Sequence, residues 1–244
     1  MARMQSGRAG LIVWDVDGTL IPADLRWLRR SISRTYQLPE NDIVFPSARV
    51  HGYTDESIVV DTAICSGVDP VSAEEGVSRF PGVLMQVMDE GREELAREQP
   101  AYSGAAETIQ ALHDAGFVQT VLTGNLKEAA EFKLDTVGLS GLLDFSIGGF
   151  GSDARDRFSL PEVVATRFNA RYGQALDPGR TIIIGDAPND IACARHAGFL
   201  SIVVAQRLGR EELLAHKPDV LLNNLIPDQV LKAVRSLIGA SQSA

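Results

Sequence analysis

Asp15 and Asp17 stand one residue apart at the end of a short apolar run, Leu11-Ile12-Val13-Trp14, and Gly18-Thr19-Leu20 follow at once. The run is half β-branched and bounded by Gly10 and Gly18, the pattern of a buried strand. Carboxylates this close repel, and one pKa rises unless a cation neutralises them. The carboxyl end of a strand in an open α/β sheet is also where ligands bind. The pair therefore fits a metal-assisted centre in which one carboxylate attacks and its neighbour moves protons. Asp-Gly is equally good turn chemistry, so other segments must decide.

Two segments bear on it. Val121-Leu122-Thr123-Gly124-Asn125 sets a hydroxyl and a glycine between an expected strand and an expected helix. A hydroxyl beside free N–H groups at a helix N-terminus cradles an anion, and glycine permits close backbone approach; Thr123 as a simple N-cap is the alternative. Ile182-Ile183-Ile184-Gly185-Asp186 ends another strand on a carboxylate, with Asp190 four positions later. Asp186 opposite Asp15 suits a hard cation such as Mg²⁺, which prefers oxygen ligands. Asp190 taken alone would serve equally as an acidic first-turn residue complementing a helix dipole.

These segments need a frame. From about Ala101, short apolar runs alternate with amphipathic stretches: strands over 117–122, 143–148, 181–184, 200–204 and 220–222, and helices over 126–137, 160–172, 189–197, 210–215 and 227–237. Such alternation predicts an α/β fold, a Rossmann-like parallel sheet with helices on both faces. Between the first strand and Ala101 the alternation stops. Stretches 24–36, 55–66 and 72–97 read as helices, the last broken or kinked at Pro81-Gly82. Residues 22–98 are therefore expected to form a small α-helical cap domain, with 1–21 and 99–244 as the core.

Composition narrows the partners. The 244 residues are 45% hydrophobic and 23% charged, ordinary for a globular chain with a real core. With 23 Lys+Arg against 32 Asp+Glu, the net charge of −9 repels nucleic acid and also phosphorylated metabolites, so a site for the latter needs local positive charge. Cys65 and Cys193 read as buried small hydrophobes rather than a disulfide. No run approaches a membrane span and the first ten residues do not read as a signal peptide, so a cytoplasmic protein, monomer or homodimer, is expected.

In order, D-x-D-G-T, T-G-N and G-D-x-x-x-D resemble the haloacid dehalogenase superfamily. The phosphoglycolate phosphatase and β-phosphoglucomutase branch, with a helical cap after the first strand, is the nearest match. Gly52-Tyr53-Thr54-Asp55 and Tyr102-Ser103-Gly104 are similar to elements of that branch. The resemblance implies a Mg²⁺-dependent phosphatase acting on a small phosphorylated metabolite, phosphoglycolate-like or a sugar phosphate, through an aspartyl-phosphate. It assigns Asp15 as nucleophile and Asp17 as acid/base, with the Asp17 main-chain carbonyl also on the metal. Asp186 becomes the metal carboxylate with Asp190 as ligand or support, and Thr123, Gly124 and Asn125 bind phosphate. The family's lysine upstream of G-D-x-x-x-D is missing here. Arg157 is the expected substitute, ahead of Lys133, which straight helix geometry puts roughly 15 Å from Thr123, and of Arg155. A phosphomutase shares all these residues, and a catalytically silent member is a further alternative. Dehalogenation is disfavoured by Asp17, and phosphonate cleavage by the absence of a cap lysine, since Lys127, Lys133, Lys217 and Lys232 all lie outside the cap. His51 before the Gly52 element, and the cap run Arg26-Trp27 with Arg29 and Arg30, are the cap residues that could meet substrate.

Overall fold

The apolar runs become five parallel strands in the computed structural model, which describes residues 10–47 and 53–241. They are β1 (Leu11–Trp14), β2 (Val118–Val121), β3 (Thr181–Gly185), β4 (Leu200–Val204) and β5 (Val220–Leu222), in the spatial order β2-β1-β3-β4-β5. Strand side chains alternate between faces, so β1 sends Ile12 and Trp14 to one side and Leu11 and Val13 to the other. The first side packs under α6 (Ala105–Asp114) and α11 (Pro227–Ser241). The second packs under α8 (Leu160–Tyr172) and α9 (Pro188–Ala197). The remaining core helices are α7 (Lys127–Thr136) and α10 (Arg210–Ala215). No described helix is long and apolar enough to cross a membrane.

The expected strand over 143–148 does not form. Asp144 accepts a hydrogen bond from the Ser146 N–H (3.1 Å) and turns the chain into a single 3₁₀ turn, Phe145–Ile147. Gly149 alone bridges to Leu122. Two adjacent glycines and a capped turn outweigh a short apolar pattern.

Among the described residues, five α-helices lie between β1 and the return to the sheet: α1 (Arg26–Tyr36), α2 (Asp55–Cys65), α3 (Pro70–Gly76), α4 (Phe80–Glu90) and α5 (Arg92–Glu98). The third expected helix is thus three. Its breaks fall after Gly76 and at Gly91, where a Cβ would overlap the Trp27 ring. Pro81 sits in the first turn of α4, where its missing N–H costs nothing. Trp27, Leu28, Ile58, Leu84 and Met88 form a cluster that also takes in Leu126 and Ala129 beside and within α7, so these helices rest on the core. Where the chain leaves and rejoins the sheet, the buried Gln99 side chain donates to the Pro22 carbonyl (2.6 Å) and accepts from the Trp27 indole N–H.

Candidate active site

Strand register decides which loops meet. Trp14 pairs with Ile184 on one side and Val121 on the other. The next residue, Asp15, is therefore flanked by Leu122-Thr123 and Gly185-Asp186, and its N–H donates to the Ile184 carbonyl (2.9 Å). Gly18 turns the chain with φ +96°, and a Cβ there would stand 2.5 Å from Asp186 Oδ2. Thr19, fully buried, reaches Asp15 Oδ2 (3.3 Å) and Asp186 Oδ1 (3.4 Å) with one hydroxyl.

Asp15, Asp186 and Asp190 come together, each offering an oxygen within 4.8 Å of the others. Burial, then the charge of Asp190, hold the Asp15 carboxyl well above the usual carboxylate range. The same causes raise Asp186 to about 6. Two arginines offset this charge. Arg157, 5% exposed, donates to Asp15 Oδ1 (2.8 Å) and Asp190 Oδ1 (2.5 Å), while its buried Nε has no hydrogen-bond partner. Arg207, in the loop after β4, donates to Asp186 Oδ2 (2.6 Å). Asp190 Oδ2 accepts from the N–H groups of Asp186 (3.1 Å) and Ala187 (2.9 Å), bracing the loop as well as facing the cluster. Hard oxygens that repel one another in a buried site are what a divalent cation relieves, so the residues present fit Mg²⁺.

The Asp17 carboxylate stands apart from that trio. Lys133 donates to both its oxygens (2.9 and 2.8 Å) and to Asn125 Oδ1 (2.6 Å), and Asn125 Nδ2 donates to Asp17 Oδ2 (2.5 Å). The 15 Å expectation for Lys133 is thereby overturned. The helix starts only at Lys127, and the long side chain folds back along it toward the N-terminal end. Thr123 Oγ1 accepts from the Asn125 N–H (3.2 Å) and Nδ2 (2.8 Å), which leaves its own proton to donate.

The N-terminus of α7 is not an open cradle. Asp55, the first residue of α2, takes the Leu126 N–H on Oδ2 (3.0 Å) and donates its own N–H to the Gly124 carbonyl (2.7 Å). Burial raises the Asp55 carboxyl to about 6, with Lys133 pulling the other way. A Cβ on Gly124 would overlap the Tyr53 carbonyl. Arg155 binds the insertion rather than the site. Its guanidinium meets Glu56 (3.3 Å) and Glu74 (2.8 Å), and its carbonyl accepts from Thr54 (2.8 Å) and Ser57 (3.2 Å).

Of the cap residues expected to meet substrate, Arg26 and Arg30 converge on Glu94 and Arg29 caps the Glu40 and Ile43 carbonyls. His51 and Gly52 lie outside the described residues. Cys65 is exposed where α2 ends, against expectation; Cys193 is buried, its thiol pushed up to about 12. Arg207 is a site residue that no sequence motif flagged. Its signal, a basic residue just past a buried strand, is weak by itself.

A cavity lined by carboxylates and arginines at the carboxyl ends of a parallel sheet, beside helices inserted after the first strand, defines an α/β protein with an inserted helical lobe. The haloacid dehalogenase-like hydrolase family matches residues 10–198, and the chain belongs to it. A phosphoglycolate phosphatase of Vibrio vulnificus is 23% identical over 220 residues, covering 88% of this chain and 92% of the relative. The pyrophosphatase PpaX of Halalkalibacterium halodurans is 28% identical over 128 residues, 52% of this chain and 57% of the relative. Among solved structures, CbbY from Rhodobacter sphaeroides, in complex with phosphate, shares the fold with TM-score 0.64 at 19% identity, covering 89% of this chain and 95% of that one.

Proposed function

We propose that the protein is a Mg²⁺-dependent phosphatase of a small phosphorylated metabolite, acting through an aspartyl-phosphate on Asp15. The observation that carries this reading is the meeting of Asp15, Asp186 and Asp190 with Arg157 at one strand-end cavity. A carboxylate oxygen of Asp15 attacks phosphorus in line, and the bond to the ester oxygen breaks as Asp17 gives that oxygen a proton. Asp17 then takes a proton from the water that attacks the phosphoryl group and frees Asp15. Lys133, on both Asp17 oxygens, fixes the direction in which that carboxyl points. Arg157, the Thr123 hydroxyl and the Gly124 N–H hold the phosphoryl oxygens, so acceleration rests on positioning and fixed charge. Asp15, Asp186, Asp190 and the Asp17 carbonyl would hold Mg²⁺, which when bound neutralises the carboxylates and draws charge from the phosphoryl group. Residues 22–98 act as the cap that excludes water. The protein works in the cytoplasm as a monomer or homodimer.

Phosphate release from p-nitrophenyl phosphate tests this directly. Turnover should require Mg²⁺, fall to background in Asp15→Asn, and release one phosphate per ester consumed. Unchanged turnover in Asp15→Asn, or phosphate returned to an acceptor instead of released, would overturn it.

A further inference from the structure

The floor of the cavity is charged, whereas among the described residues the insertion lines it chiefly with apolar side chains, beside Asp24, Tyr53 and the Asp55 that holds the Leu126 N–H. Leu25 and Leu28 at α1, Ile58 on α2, and Leu84 and Met88 on α4 line it from the insertion. Four of these, Leu28, Ile58, Leu84 and Met88, are buried in the cluster shared with α7. The arginines on this part of α1 are already committed, Arg26 to Asp24 (2.6 Å) and Glu94 (2.7 Å), and Arg30 to Glu94 (2.6 Å). Asp24 itself lines the cavity and adds negative charge. Among the described residues, the cations facing the cavity are Lys133, Arg157 and Arg207, and each is paired with a carboxylate at the floor.

We infer that the preferred substrates are phosphate monoesters with an apolar leaving group and no second anionic group, because the roof over the phosphate site is Leu25, Leu28, Ile58, Leu84 and Met88 beside Asp24. This rests on the phosphatase reading above. A carboxylate or second phosphate pressed against those five side chains loses its water and gains no partner from them, whereas each methylene laid on them gains roughly fourfold in binding. Met88 lets the roof adapt to alkyl groups of different shape. The site would then discriminate against the carboxylate and diphosphate substrates that the names of its relatives carry.

The test compares n-butyl phosphate with the same four-carbon ester ending in a carboxylate, and with glycerol phosphate, using the full chain with Mg²⁺ and phosphate release as readout. The expected kcat/KM for butyl phosphate exceeds that of the carboxylate ester by about tenfold or more, chiefly through KM. Leu84→Gln should narrow the gap by raising KM for butyl phosphate; should that variant not fold, the wild-type comparison decides alone. Equal values, or preference for the carboxylate or hydroxyl ester, overturn the inference and leave the phosphatase reading standing. No release from any ester, p-nitrophenyl phosphate included, removes that reading and the inference with it.

Discussion

At the scale of single residues the site is a contest between burial and charge. Asp55 shows it most simply. Its carboxyl is 6% exposed and raised to about 6, with burial outweighing Lys133, and with Asp17 and Glu56 adding to the rise. A carboxyl whose folded pKa lies above its unfolded value favours the folded state in its neutral form. That contribution is complete below the unfolded value and is lost as pH rises through about 6. Asp55→Asn keeps an acceptor for the Leu126 N–H and removes the titration. In chelator, its melting temperature should therefore exceed the wild type's at pH 7.5 and converge with it near pH 4, the gap corresponding to at most ~3 kcal/mol. Equal pH profiles in the two proteins would contradict this. The motif residues were legible in the sequence because strand, turn and carboxylate are contiguous there: Asp15, Asp17 and Asp186 needed only the strands to be recognised. Lys133, Arg207 and Asp55 were not, because their place depends on how far a side chain folds back along α7, or on which loop a distant element meets.

Elements set how the insertion meets the sheet. The first turn of α2 and the loop before α7 clasp each other: Asp55 spans Leu126 and Gly124, and Thr54 and Ser57 hold the Arg155 carbonyl. Two residues beyond Arg155 lies Arg157, so one short loop touches both the insertion and Asp15. Gly124 is the closest point of this clasp, since the Tyr53 carbonyl occupies the space a side chain would need. Gly124→Ala should therefore push the insertion away, lowering kcat/KM by about tenfold or more through misplacement and lowering the thermal melt as the shared apolar cluster opens. Wild-type kinetics in that variant would show that turnover does not use this closed contact. Helix and strand types were readable from periodicity. The strand over 143–148 was not, because an Asp-capped turn and paired glycines act on one or two residues, below the window in which alternation can be counted.

For the whole molecule, the consequence of the shared cluster is cohesion. Leu126 and Ala129 belong to the same apolar group as Trp27 and Met88, so the insertion's main core is shared with α7, beside a small cluster of its own around Val60, Ala63 and Ala73. The two tryptophans report on the two parts, Trp14 in β1 and Trp27 in α1, both buried. Single-tryptophan variants, Trp14→Phe and Trp27→Phe, should give coincident urea midpoints by fluorescence, as one cooperative transition requires. Separated midpoints would show that the parts unfold independently. One amide, meanwhile, fastens the two crossings between those parts: Gln99 holds the Pro22 carbonyl and the Trp27 indole at once. Both connecting threads are thus pinned at a common axle. Any displacement of the helical lobe must therefore turn on that joint, and it must uncover the apolar side chains shared with Leu126 and Ala129.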